Sequence, residues 1–229
     1  FSNRIAGGRF SFGGREIALR RTWPSVAHPM HGDGWARAWD VQHHDPQSAD
    51  IAYDHAADGE GGWPFAYRAH QSYRLDVDRL TVRLSLENRE AHAVPAGIGL
   101  HPFFVRDEAT ELRCRTSSVW LSDAEVLPTE RVGVPAVWDF SAGRRLGDVA
   151  LDNCFEGWDG RATITWPSRG LVLEMTASES LGTLVIFTPP KRPFFCVEPV
   201  SHANGRIAAT RLAAGDTIAG EIVFRLTIQ

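Results

Sequence analysis

The chain has 229 residues, of which 43% are hydrophobic and 23% charged, and its formal net charge is −4. This composition is typical of a globular protein that buries a sizeable core, and it gives no electrostatic reason to expect nucleic acid or an anionic membrane as a partner. The sequence has no apolar run long enough for a transmembrane helix and no signal-peptide pattern. Its three cysteines are widely spaced and odd in number, which argues against a disulfide framework and for a reducing compartment. We therefore predict a cytoplasmic protein.

Alternation of apolar and polar residues predicts strands along the chain. The first predicted hairpin turns at Gly13-Gly14, and the polar stretch 42–62 is predicted to be loop-rich, with one short strand at residues 51–53. Residues 79–86 alternate strictly and predict a half-buried strand. Residues 161–175 predict a hairpin that turns at residues 167–170, and residues 218–228 alternate again.

Antiparallel strands joined by hairpins, with 21 glycines and 13 prolines to form turns, predict an all-β sandwich of two packed sheets. No amphipathic helix, internal repeat or linker-like stretch interrupts this pattern. We therefore expect residues 1–229 to form a single domain. Because the sequence at Phe1 already resembles the interior of a domain, we also expect that the first N-terminal strands of the domain are missing from this chain.

Two segments combine a titratable side chain with an apolar strand end and a following proline. In residues 97–104, His101 lies among glycines and apolar residues, and Phe103 and Phe104 are expected to bury on a sheet. In residues 194–199, Glu198 occupies the corresponding position. Histidine titrates near neutrality and glutamate supplies a base, so the pair indicates acid/base chemistry. Alone, either residue is as well explained by a structural role.

The remaining histidines and the cysteines show no pattern typical of a metal site. His28 and His31 are two residues apart in a glycine-rich loop, but neither a cysteine nor a carboxylate joins them at ligand spacing, so we predict no metal site. Most other histidines are expected to be solvated, and the cysteines to be core residues. These remaining histidines are His43, His44, His55, His70 and His92, whereas His202 lies close to Glu198 and is harder to place.

Five short motifs follow one another along nearly the whole chain, at residues 3–10, 31–39, 101–104, 151–155 and 197–199. In this order they resemble the aldose 1-epimerase (mutarotase) family. The resemblance implies a galactose-mutarotase-like super-β-sandwich of antiparallel sheets, and an isomerase that interconverts the α and β anomers of a free hexose.

The resemblance also implies roles for individual residues. Glu198 would be the general base at the anomeric hydroxyl, and His101 the general acid at the ring oxygen, each contributing about 10²–10⁴-fold when positioned. Asp152 would raise the pKa of the imidazole. Arg4, His31 and Asp152 would bind sugar hydroxyls, and Trp35 would offer a platform for a sugar face. The Arg4 and Asp152 side chains could equally form a structural ion pair.

The family mechanism needs no metal and no cofactor. The expected partner is a small-molecule sugar, and the protein is expected to be a monomer or a homodimer. Two departures from the family pattern leave the substrate open. Phe103 replaces a usual tyrosine, and residues 201–204 replace a usual Pro-Asp-x-x-Asn ending.

Two alternative functions remain. A hexose-6-phosphate mutarotase would need a phosphate site, for which Arg37, Arg192 and Arg206 are candidates. A catalytically silent carbohydrate-binding sandwich would have no need of both Glu198 and His101. A glycoside hydrolase would instead need two carboxylates beside the scissile bond.

Overall fold

The protein, seen in a computed structural model that describes residues 1–59 and 61–229, is built almost entirely from antiparallel strands. Its short helices are 3₁₀ turns at Ala6–Gly8, Gly34–Ala36, Ala136–Trp138, Pro167–Arg169, Glu179–Leu181 and Ile207–Ala209. The strands are β1 (Arg9–Phe12), β2 (Arg15–Ala18), β3 (Asp40–His44), β4 (Ser48–His55), β5 (Tyr67–Leu75), β6 (Arg79–Asn88), β7 (Phe103–Val105), β8 (Glu111–Cys114), β9 (Ser118–Ser122), β10 (Pro128–Gly133), β11 (Arg144–Arg145), β12 (Leu151–Glu156), β13 (Arg161–Trp166), β14 (Leu171–Ala177), β15 (Thr183–Thr188), β16 (Phe194–Val200) and β17 (Thr217–Ile228).

Two large sheets pack against each other. One has nine strands in the order β11-β8-β13-β14-β17-β6-β5-β4-β3, the other has six in the order β10-β9-β12-β15-β16-β7, and β1 and β2 form a separate hairpin. The main core receives fully buried side chains from both large sheets, such as Leu112 and Ile222 from the nine-stranded sheet and Phe155 and Ile186 from the six-stranded sheet. The predicted sandwich of antiparallel sheets is therefore confirmed.

The strictly alternating segments form strands as predicted. The segment from 79 onward is β6, and the C-terminal segment is the twelve-residue β17, which pairs with it. Strands β13 and β14 form the predicted hairpin, and Gly170 closes its turn in the left-handed region at φ 60°, where a residue without Cβ carries little strain. Strands β1 and β2 flank Gly13-Gly14 in the same way.

The prediction of one short strand in residues 42–62 underestimates how much of this region is strand. The region begins within strand β3 and contains the eight-residue β4, rather than one short strand between loops. Strand β3 is the edge of the nine-stranded sheet, and all its residues are exposed. An edge strand with two wet faces carries polar residues at successive positions, so the alternation that marks a half-buried strand is absent there.

Within the described residues, no helix is long and apolar enough to cross a membrane.

The expectation that residues 1–229 form a single domain stays a prediction, as does the expectation that initial strands are missing.

Candidate active site

Strand β16 places Glu198 on the face of the six-stranded sheet that is turned away from the main core. Because side chains alternate along a strand, Phe195 and Val197 point into the core, and Cys196 and Glu198 point to the opposite face. The Glu198 side chain is only 4% exposed. A carboxylate is thus buried on a face where it can meet loops that cross the sheet.

His101 reaches this carboxylate from the loop that precedes β7. Strand β7 pairs with β16, so that Phe103 lies opposite Cys196. The His101 imidazole stacks on the Phe103 ring, with 4.8 Å between ring centroids. Its Nε2 atom then lies 3.3 Å from Oε1 of Glu198, while its Nδ1 atom is buried without a hydrogen bond from any described residue. Nε2 is therefore the ring atom placed to exchange a proton with the site.

The expectation that both Phe103 and Phe104 bury is wrong for Phe103, which is 64% exposed. Phe104 packs against the main core and lies 5.6 Å from Phe195 between ring centroids. Strand alternation sends Phe103 to the opposite face of β7, which is the edge strand of its sheet. There its ring supports the imidazole instead of filling the core.

Burial shifts the pKa values of the two groups in opposite directions. Burial, and secondarily the charge of Asp152, raises the pKa of Glu198 well above its usual range, although Arg4 opposes this effect. Burial lowers the pKa of His101, and Asp152 raises it by less. The predicted effect of Asp152 on the imidazole has the right sign, but the prediction of a raised pKa is wrong because burial outweighs it.

Arg4 and Asp152 form an ion pair, with 3.1 Å between Nη2 and Oδ2. Arg4 is held by its backbone N–H, which donates to Oδ1 of Asn204 at 3.0 Å, and by Nη1, which donates to Oδ1 of Asn3 at 2.9 Å. Asp152 lies on β12, directly across β15 from Cys196 through Phe187. Both ends of this pair influence the pKa of Glu198, which places the pair beside the buried carboxylate.

His31 approaches the same site with a defined tautomer. Its backbone adopts φ 61°, a region that a non-glycine residue occupies only under constraint. The constraint is a reciprocal contact: His31 N–H donates to Asn3 O at 2.9 Å, and Asn3 N–H donates to Nδ1 of His31 at 3.2 Å. Since Nδ1 accepts, the proton of the neutral ring is on Nε2.

The His31 ring lies edge-on to His101, with 5.4 Å between centroids. Burial, followed by repulsion from His101, lowers the pKa of His31 to about 4. His31 is therefore a neutral hydrogen-bond donor at neutral pH, and it adds no charge beside His101.

A cavity of about 600 Å³ opens beside these groups. His31, Trp35, His101 and Glu198 line it, whereas Arg4 and Asp152 do not. Trp35 is 51% exposed, and its ring lies 4.8 Å from that of Trp23. Of the six residues expected at the site, four thus share one cavity and the remaining two form an adjacent ion pair.

The sequence matches a family model described as aldose 1-epimerase over residues 1–225. The chain belongs to the aldose 1-epimerase family. It is similar to the uncharacterized protein YphB of Escherichia coli (strain K12), with 32% identity over 99% of this chain and 81% of YphB.

Two solved structures resemble this family member. One is an Escherichia coli K12 protein whose assignment as an aldose 1-epimerase is provisional, with a TM-score of 0.92 and 30% identity over 100% of this chain and 82% of that one. The other is a galactose mutarotase-like protein from Clostridium acetobutylicum, with a TM-score of 0.85 and 17% identity over 100% of this chain and 78% of that one. The predicted galactose-mutarotase-like fold is confirmed.

In this aldose 1-epimerase family member, a polar network beneath the His31 loop was not anticipated from the sequence. Asp33, which also lines the cavity, accepts hydrogen bonds from Tyr67 at 2.6 Å and from Tyr53 at 3.0 Å. His55 Nδ1 lies 2.8 Å from Asp33 Oδ2, and its Nε2 lies 2.8 Å from the carbonyl oxygen of Trp63. Both ring nitrogens face acceptors, so the geometry favours a charged imidazolium.

Hydrogen bonds dominate the titration of this network. Burial alone would raise the pKa of Asp33, but the bonds from His55, Tyr67 and Tyr53 lower it below its usual range. Burial alone would lower the pKa of His55, but Asp33 and the Trp63 carbonyl raise it. The pKa of Tyr53 is raised to about 12 by burial and by Asp33. Asp33 is thus a fixed negative charge that holds the loop of His31 and Trp35.

The expectation of solvated histidines is wrong for His55, which is buried, and His28 is buried as well. His28 Nδ1 accepts the N–H of Gly7 at 3.1 Å, and its Nε2 lies 3.5 Å from Glu125. One signal for the Asp33 network was present in the sequence, because Tyr53 and His55 are two residues apart in a strand and share a face. The pairing of His55 with Tyr67 depends on the strand register, which the sequence does not reveal.

Proposed function

We propose that this protein is an aldose 1-epimerase that interconverts the α and β anomers of a free hexose. Glu198 removes the proton of the anomeric hydroxyl, and His101 protonates the ring oxygen as the bond between C1 and that oxygen opens. The open-chain aldehyde rotates about C1–C2, and the ring recloses with the two groups in exchanged roles. The observation that carries this proposal is the 3.3 Å approach of His101 Nε2 to Glu198 Oε1 at the cavity wall.

The spacing of the pair suits this reaction. The anomeric oxygen and the ring oxygen are bonded to the same carbon, so a base and an acid that serve them must lie close together. General acid/base catalysis also favours groups whose pKa values lie near the working pH. Burial moves the pKa of Glu198 upward in that direction, which makes it a stronger base than a solvated glutamate.

The neighbouring residues support binding of an uncharged sugar. Neutral His31 can donate from Nε2 to a hydroxyl, and the Trp35 ring presents an apolar face at the cavity. Arg4 and Asp152 lie outside the cavity lining, and their ion pair acts on the electrostatics of Glu198. Their assignment to sugar hydroxyls rests on the family resemblance.

A free hexose is preferred to a hexose 6-phosphate because of the charge of the cavity. Among the described residues, neither arginine nor lysine lines it, and Arg37, Arg192 and Arg206 all lie elsewhere. Arg37 lies 4.0 Å from Asp33, and Arg206 lies over the Trp120 ring at 4.6 Å. A phosphate in this cavity would lack the bidentate partner it usually has.

Polarimetry of freshly dissolved α-D-glucose and α-D-galactose tests the proposal, with wild type compared with Glu198→Gln and His101→Asn. We expect the wild type to accelerate relaxation to the same final rotation, and each variant to lose about 10²–10⁴-fold of that acceleration. A folded wild type that accelerates neither sugar would contradict the proposal. Acceleration with glucose 6-phosphate alone would then indicate the phosphorylated substrate, and sugar binding without acceleration would indicate a silent binding domain.

A further inference from the structure

The proposed acid/base reaction leaves one side chain beside the site unused, the thiol of Cys196. Cys196 and Glu198 are two residues apart on β16 and so share a face. Phe103, which pairs with Cys196 across the sheet, carries the stacked ring of His101. One donor atom from each of Cys196, His101 and Glu198 lies within 4.8 Å of the other two. Sulfur, nitrogen and oxygen donors are therefore grouped beside the cavity that His101 and Glu198 line.

We propose that these three side chains bind a thiophilic divalent cation of the zinc class, which inhibits the enzyme by occupying its acid/base pair. The inhibition rests on the function proposed above, but the binding of the cation does not. Zinc takes sulfur at about 2.3 Å and nitrogen or oxygen at about 2.0–2.2 Å in tetrahedral geometry, so two ligands of one ion lie roughly 3.3–3.7 Å apart. His101 and Glu198 already meet this spacing at 3.3 Å.

The charge of the three ligands matches the buried position. Cys196 and Glu198 are 0% and 3% exposed, and a buried charge is tolerated only when it is paired. Binding forms a Zn–S bond as the thiol releases its proton to solvent, and no electron is transferred. A thiolate, a carboxylate and a neutral imidazole together neutralise a divalent cation. The fourth position of the ion is left for water from the cavity.

The same donor set discriminates between cations. Magnesium and calcium prefer six to eight oxygen ligands, whereas soft thiolate ligands select zinc and its neighbours. We therefore expect micromolar zinc or cobalt to bind where magnesium does not compete. Exposed pairs such as His43 with Asp45 offer no thiolate, so they give a different spectroscopic signature.

Titration with Co²⁺ tests the site without any need for activity. In wild type we expect a thiolate-to-cobalt charge-transfer band that Zn²⁺ abolishes by displacement. Cys196→Ala and the volume-conserving Cys196→Ser should lose this band and bind Co²⁺ at least about tenfold more weakly. The control Cys114→Ala removes a cysteine that is buried in the main core and should keep the band. A missing band in wild type, or a band that survives in both Cys196 variants, would overturn the proposal.

Polarimetry with added Zn²⁺ then tests inhibition, with each variant compared with its own rate without metal. We expect inhibition of wild type and Cys114→Ala that EDTA reverses, at least tenfold weaker inhibition of the Cys196 variants, and no effect of Mg²⁺. A wild type that shows the cobalt band but is not inhibited by Zn²⁺ would overturn the inhibitory role. A wild type that shows the band but no metal-free mutarotation would contradict the proposed function and leave the cation site in place.

Discussion

The two faces of strand β16 are buried to nearly the same degree and are used in different ways. Phe195 and Val197, which face the main core, are both 0% exposed, and Cys196 and Glu198 on the other face are 0% and 3% exposed. On the core face, burial removes apolar surface from water and stabilises the fold. On the other face it strips water from ionisable groups and shifts their pKa values.

The difference lies in what covers each face. The core face meets the apolar side chains of the opposite sheet, whereas the other face meets loop residues that bring their own polar groups, such as His101 and Arg4. Equal burial therefore predicts different effects of mutation. Substitutions on the core face should lower stability at every pH, and substitutions on the other face should change catalysis and the pH dependence of stability.

The largest effect on stability is expected from Phe195→Ala. Removal of a fully buried phenylalanine ring costs about 3–5 kcal/mol of the free energy of unfolding, because the cavity left behind collapses only in part. Urea denaturation measures this cost. If the variant does not fold, Phe195→Leu gives a smaller loss of the same sign. The mutarotation rate per folded molecule should stay within a fewfold of wild type, and a hundredfold loss would show that the two faces are not separable.

The next effect in size is expected from Asp33→Asn, which tests the polar network at neutral pH. The substitution removes the charge that holds His55 and leaves buried donors unsatisfied, at a cost of about 1–3 kcal/mol. Tyr53→Phe is the matched control, since it removes one 3.0 Å hydrogen bond and should cost about 0.5–1.5 kcal/mol.

The sign of the pH dependence sharpens this test. The pKa of Asp33 is lowered in the fold, so its stabilisation is present above the unfolded pKa of about 3.9 and is lost as the pH falls. The pKa of His55 is raised, so its contribution is present below about 6.5 and is lost as the pH rises through the folded value. The stability gap between wild type and Asp33→Asn should therefore begin to narrow as the pH falls below about 4, and close only as the pH passes through the lowered pKa of Asp33. A gap that stays constant or widens as the pH falls from about 4 would contradict the assignment of Asp33 as a charged partner.

The strands that pack on the main core could be predicted from the sequence better than the site could. Residues 79–86 and 218–228 alternate because each of these strands has one solvent-exposed face and one buried face. The motifs also predicted an acid/base pair of His101 and Glu198, which lie far apart in the chain and which the fold brings within 3.3 Å of each other. The sequence did not reveal that burial would lower the pKa of His101, because the depth of a side chain depends on how the loops close over the sheet. Asp33 was missed for the same reason, since its partners come from two neighbouring strands whose register is set by tertiary packing.

Glu198→Gln should show a stability effect that changes with pH. Because the pKa of Glu198 is raised in the fold, the native state binds more protons than the unfolded state above about pH 4.3. Wild-type stability due to this group therefore falls as the pH rises from that value through the folded pKa. Glutamine does not titrate, so the variant should gain stability relative to wild type between pH 4 and pH 7. An advantage for wild type that grows with pH would contradict a buried, unfavourably ionised carboxylate.

The pH profile of kcat/KM should be a bell whose limbs differ from those of a solvated pair. A solvated glutamate and histidine titrate at about 4.3 and 6.5, but here burial raises the pKa of Glu198 and lowers that of His101. The two limbs belong to the coupled pair rather than to either residue. Polarimetric rates between pH 4 and pH 9 measure both limbs. Limbs at about 4.3 and 6.5 would indicate that the groups titrate as if exposed to water.

The smallest effect is expected at Trp35, which is 51% exposed and lines the cavity. Its exposed ring can stack on a sugar face without changing the electrostatics of the acid/base pair, so Trp35→Ala should raise KM about 2–10-fold, equivalent to about 0.5–1.5 kcal/mol, and leave kcat within about twofold. Leu75→Ala is the control, because Leu75 is 53% exposed and lies outside the cavity lining. A fall in kcat with an unchanged KM would indicate that Trp35 positions His101 and does not contact the sugar. In that case the exposure of a side chain at the cavity would not predict whether its loss changes KM or kcat.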